Sequence, residues 1–238
     1  MTRIGVIGTY DAAPADLFRV DLVQYLAAHG CPPSACVFRT AGAPRPGVPL
    51  NTIQRLGDGR SVVQVSRFDD AEAIAAMARL GVDLFVYAGG RDILRSGVLE
   101  AARLGCLGGH YGPLPAIRGM STVEWSVLTG RPIVVAIQRM APGVDTGDIV
   151  LQAPVALRPD DTFATIRNRC YYWLKVMMAV AARALVADPA LATPQSLDAG
   201  QQYYRLHPDV ASIAERRLAE RLRHYGRHPW ARWPGRTA

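Results

Sequence analysis

The strongest constraint in this sequence is a rhythm: short, fully apolar runs alternate with stretches of helical periodicity. Residues 3–8 (Arg-Ile-Gly-Val-Ile-Gly) and 83–88 (Asp-Leu-Phe-Val-Tyr-Ala) are too short and too uniformly apolar for surface helices, and each ends in a turn, at Gly8 and at Gly89-Gly90. Between and after them the periodicity predicts helices over 16–29, closed by Gly30, over about 70–80, closed by Gly81, and over about 96–104. A further short strand is expected at 61–65, while the Pro- and Gly-rich stretch 31–59 has no clear assignment. Strands buried on both faces and joined by helices imply an α/β fold with an open, mostly parallel, Rossmann-like sheet flanked by helices. Strands at about 106, 133–138 and 148–154 extend it. Helices are expected at 122–129, at about 162–186 and at 210–224, the long one opened by Asp160-Asp161. The expected organisation is a core over 1–150 that holds the site, a C-terminal strand-plus-helix extension over 151–226, and a basic tail over 227–238.

Composition narrows the classes. Half of the 238 residues are hydrophobic and a fifth are charged, which excludes a disordered chain or a coiled coil. No run of 18 apolar residues occurs and the first residues form no signal peptide, so a cytoplasmic protein without a membrane span is expected. The net charge of +7 is concentrated at the C-terminus, where seven Arg and two Glu follow position 214, so nucleic acid is not an expected partner. Cys31, Cys36, Cys106 and Cys170 form no metal or redox motif; free thiols are expected, with a Cys31–Cys36 bridge as the alternative. The dinucleotide fingerprint GxGxxG is missing, and no residue spacing suggests a metal site.

The chemistry concentrates between residues 104 and 150. His110 and Asp145 stand 35 residues apart, each just beyond an expected strand and each in a loop shaped by Gly and Pro. In an open α/β sheet both are expected to rise at the same edge. A His oriented by an Asp suits general acid–base work or stabilisation of a developing oxyanion.

The ordered set His110, Leu114-Pro115, Arg118-Gly119 and Asp145-Thr146-Gly147 resembles the folate-dependent formyltransferase family. Tyr87 to Leu94 is similar to the family's pterin loop, and Gln201 to Pro208 to a segment of its small-molecule members. The resemblance implies 10-formyltetrahydrofolate as formyl donor and a small-molecule amine as acceptor. It implies catalytic roles for His110 and Asp145, donor binding, mainly through backbone groups, by the loops of Gly90, Arg91, Ile93, Leu94, Val144 and Asp145, and substrate contacts by Tyr111 and Arg118. Arg118 has a second reading, as a residue that shapes the loop. Members that act on tRNA carry a separate C-terminal barrel, for which the chain leaves no expected room. The long apolar helix is a candidate homodimer surface.

The pattern breaks at two positions. The family's asparagine, two residues before the His, is Gly108 here, and its usual His on the following strand is Gln138. Three readings stay open: Gln138 supplies the missing carboxamide, the pocket binds folate for other chemistry such as formyl hydrolysis, or the chain is a non-catalytic binding relative. Gln138 is an ordinary strand residue unless its side chain faces His110.

Overall fold

The computed structural model describes residues 2–10, 15–40, 59–89 and 92–223. A seven-stranded sheet is ordered β3-β2-β1-β4-β5-β7-β8. Its strands are β1 (Ile4–Tyr10), β2 (Pro33–Thr40), β3 (Ser61–Val65), β4 (Leu84–Tyr87), β5 (Cys106–His110), β7 (Val134–Arg139) and β8 (Asp148–Pro154). The first five run parallel, and β7 pairs antiparallel with both neighbours. The helices are α1 (Ala15–Ala28), α2 (Ala71–Arg79), α3 (Ser96–Leu99), α4 (Thr122–Leu128), α5 (Phe163–Ala187) and α6 (Pro208–Arg223). The architecture is the mostly parallel, helix-flanked sheet that the alternation implied.

Two hydrophobic clusters cover the two faces of the sheet. Leu84, Val86, Leu107 and Ile137 pack under α1 and α5, whereas Phe85 and Cys106 face α2 and α3 with Met77, Val98 and Leu99. This two-sided burial is why the strands read as unbroken apolar runs rather than alternating ones. Two elements differ from the sequence reading. β2 lies inside the stretch that had no assignment; Pro33 starts it, at a strand's first position where a missing N–H is tolerated. α3 stops at Leu99, because the Leu104 N–H donates to the Asp83 carbonyl and Phe85 takes Gly105, drawing the chain into β5.

α5 has the length and composition to cross a membrane, yet it is a core helix. Ile166, Cys170, Leu174, Met178, Ala181 and Leu185 form a stripe pressed on the sheet. Tyr171, Tyr172, Trp173 and Val180 of the same helix are left outward. Its start is a capping box: the Thr162 hydroxyl accepts the Thr165 N–H and the Thr165 hydroxyl accepts the Thr162 N–H.

Position 150 falls inside β8, so the sheet runs through the expected seam between core and extension. A two-stranded ribbon pairs β6 (Ile117–Gly119) with β9 (Gln201–Tyr203). Gly119 sits at φ +98°, and a Cβ there would lie 2.1 Å from the Tyr203 carbonyl oxygen, so the ribbon requires glycine. All four cysteines are buried free thiols. The tail at 227–238 lies outside the described residues.

Candidate active site

His110 is the last residue of β5, and its ring is held between two acceptors. Nε2 lies 2.8 Å from the Ile117 carbonyl oxygen and Nδ1 lies 3.2 Å from Asp145 Oδ2. Both partners are acceptors, so each ring nitrogen faces an oxygen.

The two residues do not meet by rising from the same sheet edge. β7 is antiparallel to β5, with Leu107 opposite Arg139 and His110 opposite Ala136. The loop after Arg139 therefore leaves near the opposite end of β5 and folds back to bring Asp145 to His110. Asp145 takes a left-handed conformation, φ +54°, that aspartate tolerates better than most residues. Its carboxylate is held from two further sides and its backbone from a third. Gly119 N–H donates to Oδ2 at 2.9 Å, Gln138 Nε2 donates to Oδ1 at 2.9 Å, and the Gln195 amide donates to the Asp145 backbone carbonyl at 3.2 Å. Burial raises the Asp145 pKa, but the His110 hydrogen bond and charge, with the Gly119 and Gln138 donors, outweigh it, so the carboxyl is held below its ordinary range.

Gln138 faces the His–Asp pair, directly across the ladder from Gly108. Its carboxamide does not stand open as a replacement donor: Nε2 is on Asp145, and Oε1 accepts the Gly147 N–H at 3.0 Å. It ties the ends of the Asp145 loop to β7. At Gly108, a Cβ would meet Met140 Sδ at 2.7 Å. The thioether thus occupies the space into which a side chain at 108 would project. Met140 also lines a cavity of about 460 Å³ together with Arg103, Arg139 and Asp148.

The remaining expected residues divide. Tyr111 lies beside His110, its ring edge-to-face with Tyr171 at 5.1 Å, and burial drives its hydroxyl pKa far up. Arg118, expected at the substrate, is instead committed to the carbonyls of Pro115, Leu197 and Gly200 at 3.2–3.4 Å. It pins the loop to the β9 segment, because the ribbon encloses its side chain and leaves those acceptors within reach. Leu94 is 2% exposed and belongs to the core, so its side chain is not available to a ligand, whereas Ile93 is 71% exposed. Val144 is half-buried on the Asp145 loop. Gly90 and Arg91 lie outside the described residues.

A cavity of about 340 Å³ opens over the pair, lined by His110, Tyr111, Thr122, Glu124, Asp145, Arg167 and Tyr171. Glu124 lies in the segment 104–150 but had no role assigned from the sequence, and Arg167 was not singled out. Glu124 stands in the first turn of a helix, where an acid is ordinary, and Arg167 follows 43 residues later. The structure joins them: the Arg167 guanidinium donates to Glu124 Oε1. Gln195 was also missed, since nothing in its surroundings in sequence marks it.

Residues 31–178 match the family model described as Formyl transferase. A methionyl-tRNA formyltransferase of Anaeromyxobacter dehalogenans is 34% identical over 185 residues, covering 72% of this chain and 56% of the relative. The chain thus spans little more than half the length of that curated relative. Among solved structures, glycinamide ribonucleotide transformylase 1 from Symbiobacterium toebii is similar with a TM-score of 0.59 at 25% identity, covering 79% of this chain and 89% of that one. The formyltransferase PseJ from Anoxybacillus kamchatkensis, solved with UDP-4,6-dideoxy-4-formamido-L-AltNAc and tetrahydrofolate, shares the fold with a TM-score of 0.55 at 16% identity over 95% of this chain and 94% of that one.

Proposed function

The chain belongs to the formyltransferase family, and we propose that it transfers a formyl group from 10-formyltetrahydrofolate to the amine of a small molecule. The observation that carries this reading is the His110–Asp145 pair, clamped by Gly119 and Gln138 at a cavity large enough for a small ligand. A folate donor suits the loop beside it. Thr146 Oγ1 and Gln195 Oε1 are buried there without hydrogen-bond partners, leaving polar capacity that a heterocycle with its own donors and acceptors can take up. The tetrahydrofolate in the PseJ structure supports the same donor class.

The donor supplies a formyl carbon open to attack by an amine lone pair. As negative charge gathers on the formyl oxygen, His110 offers it an Nε2–H once the substrate displaces the Ile117 carbonyl. Asp145 holds the other ring nitrogen, fixing the ring and balancing its charge. The attacking nitrogen gives up a proton and N10 of tetrahydrofolate leaves with one, so His110 and water at the cavity mouth carry that exchange. The walls of the cavity, Tyr111 and Tyr171 among them, limit solvent around the reacting atoms.

The test is a titration with 10-formyltetrahydrofolate, tetrahydrofolate serving as the control. Saturable binding near micromolar, about −8 kcal/mol, is the expected result; a folded protein that binds neither overturns the reading. Product assays then compare small amines with methionyl-tRNA, the rival acceptor suggested by the name of the curated relative.

One observation favours a second reading, hydrolysis of the formyl group. Position 108 offers no side-chain donor, and Met140 fills the space. Release of tetrahydrofolate without any amine supports hydrolysis. A Gly108→Asn variant, made together with Met140→Val to clear the Sδ contact, raises amine formylation if the missing carboxamide limits that reaction, and lowers the native rate if the site is built for water.

A further inference from the structure

Glu124 poses a question that the His–Asp pair does not answer. Its residue is 6% exposed, and it lines the same cavity as His110 and Asp145. One carboxylate oxygen, Oε1, is bound by Arg167, while the other, Oε2, is buried with no hydrogen-bond partner. An unpaired carboxylate oxygen enclosed by protein is costly and calls for a donor from outside the chain. A carboxylate paired with a guanidinium is acceptor-only, so a partner for Oε2 must bring an N–H or O–H. Tyr111 and Tyr171, in ring contact, and Arg167, with 45% of its side chain exposed, line the same cavity.

We propose that Glu124 is the acceptor-recognition residue: Oε2 takes a hydrogen bond from a hydroxyl or N–H of the incoming amine and thereby sets the nucleophilic nitrogen beside His110. This rests on the formyl-transfer reading above and deepens it. The acceptor class it selects is a primary amine flanked by hydroxyl groups. A bare hydrocarbon amine leaves Oε2 unpaired and is disfavoured. Glu124 acts by placing the acceptor; the proton and charge work stays with His110 and Asp145.

The experiment measures binding of glucosamine and of cyclohexylamine to the tetrahydrofolate-loaded protein by calorimetry, for the wild type, Glu124→Gln and Glu124→Leu. Glucosamine carries hydroxyls beside its amine; cyclohexylamine presents the same nitrogen on a bare ring. The wild type is expected to prefer glucosamine, and the preference to fall about 10- to 100-fold in Glu124→Leu, with a smaller fall in Glu124→Gln, which keeps an acceptor oxygen and the side chain's shape. Tetrahydrofolate affinity is expected to stay unchanged in both variants, a result that a merely structural Glu124 would not produce alongside lost amine preference. Equal binding of the two amines by the wild type, absence of glucosamine binding, or an undiminished preference in Glu124→Leu overturns the proposal. Failure of tetrahydrofolate to bind the wild type overturns the donor reading instead, so the two failures are distinguishable. Circular dichroism of each variant confirms the fold, and Glu124→Gln carries the test if Glu124→Leu does not fold.

Discussion

Asp145 and Asp161 solve the same problem with different partners. Each is an aspartate largely withdrawn from water, and each accepts a backbone N–H and a side-chain hydrogen bond besides its main partner. Asp161 accepts from Arg158 N–H at 2.7 Å and Thr165 Oγ1 at 3.0 Å, and Asp145 from Gly119 N–H and Gln138 Nε2. Burial raises both pKa values, and both are nevertheless held below the ordinary carboxylate range, Asp161 chiefly by Arg169 and Asp145 chiefly by His110. The Arg169 guanidinium grips Asp161 with two N–H groups, at 2.5 and 2.9 Å, and keeps its charge at any accessible pH. That pair locks the start of α5 against the segment before it. Asp145 instead holds an imidazole, whose proton can leave, and it faces a cavity. The carboxylate chemistry is shared; the partner's ability to exchange a proton, and an opening to ligand, separate a structural clamp from a candidate catalytic one.

The sharpest way to break this contrast is to neutralise each aspartate in turn. Asp145→Asn is expected to lower formyl-transfer turnover by roughly 10²- to 10⁴-fold while changing the melting temperature little. Asp161→Ala should do the reverse. It leaves Arg169 without its buried partner, at a cost of about 3 kcal/mol. Calorimetry should show this as a fall of roughly 6–12 °C in Tm, with turnover per folded molecule unchanged. If the two variants show the same pattern, the contrast fails.

Gln138→Leu probes the clamp alone. Removing its contacts to Asp145 and Gly147 should cost about 1–2 kcal/mol in positioning, read as a roughly 5- to 30-fold drop in kcat with tetrahydrofolate affinity retained. A drop equal to that of Asp145→Asn would instead give the carboxamide a direct part in the chemistry. The smallest effect is in pH. Because both folded-state pKa values are depressed, the unfolded chain binds protons first. The stabilisation is therefore complete above the ordinary aspartate pKa of about 3.9 and is lost as pH falls below it. Melting temperatures followed from pH 6 downward should show this acid loss in the wild type and a shallower one in Asp161→Ala.

The two regions also differ in how far they could be read in advance. Asp160-Asp161 before a long apolar periodicity announces a helix start, and local hydrogen bonds at Thr162 and Thr165 complete it. His110 and Asp145 were legible as residue types in spaced loops, but the geometry that joins them was not. The antiparallel course of β7 brings the Asp145 loop back from the far end of β5, whereas both residues had been expected to rise at the same edge. Gln138 was placed by register, but as a spare carboxamide; Asp145 and Gly147 have taken up that carboxamide. Arg118 had two readings in the sequence, as a substrate contact and as a residue that shapes the loop; the three carbonyls from the loop and the β9 segment that take up its guanidinium fit the second.

By itself, then, the sequence determined the layered α/β architecture, because burial follows local periodicity: apolar runs of strand length need cover on both faces, and amphipathic helices provide it. It also determined which residue types could do chemistry. Tertiary structure alone decided which of those groups are already engaged and which are left open. Met140 fills the place beside Gly108, Arg118 is used up on carbonyls, and Glu124 Oε2 is buried without a partner. Hydrogen bonds are short and directional, so their partners are chosen by juxtapositions between residues tens of positions apart, which no local pattern in the chain encodes.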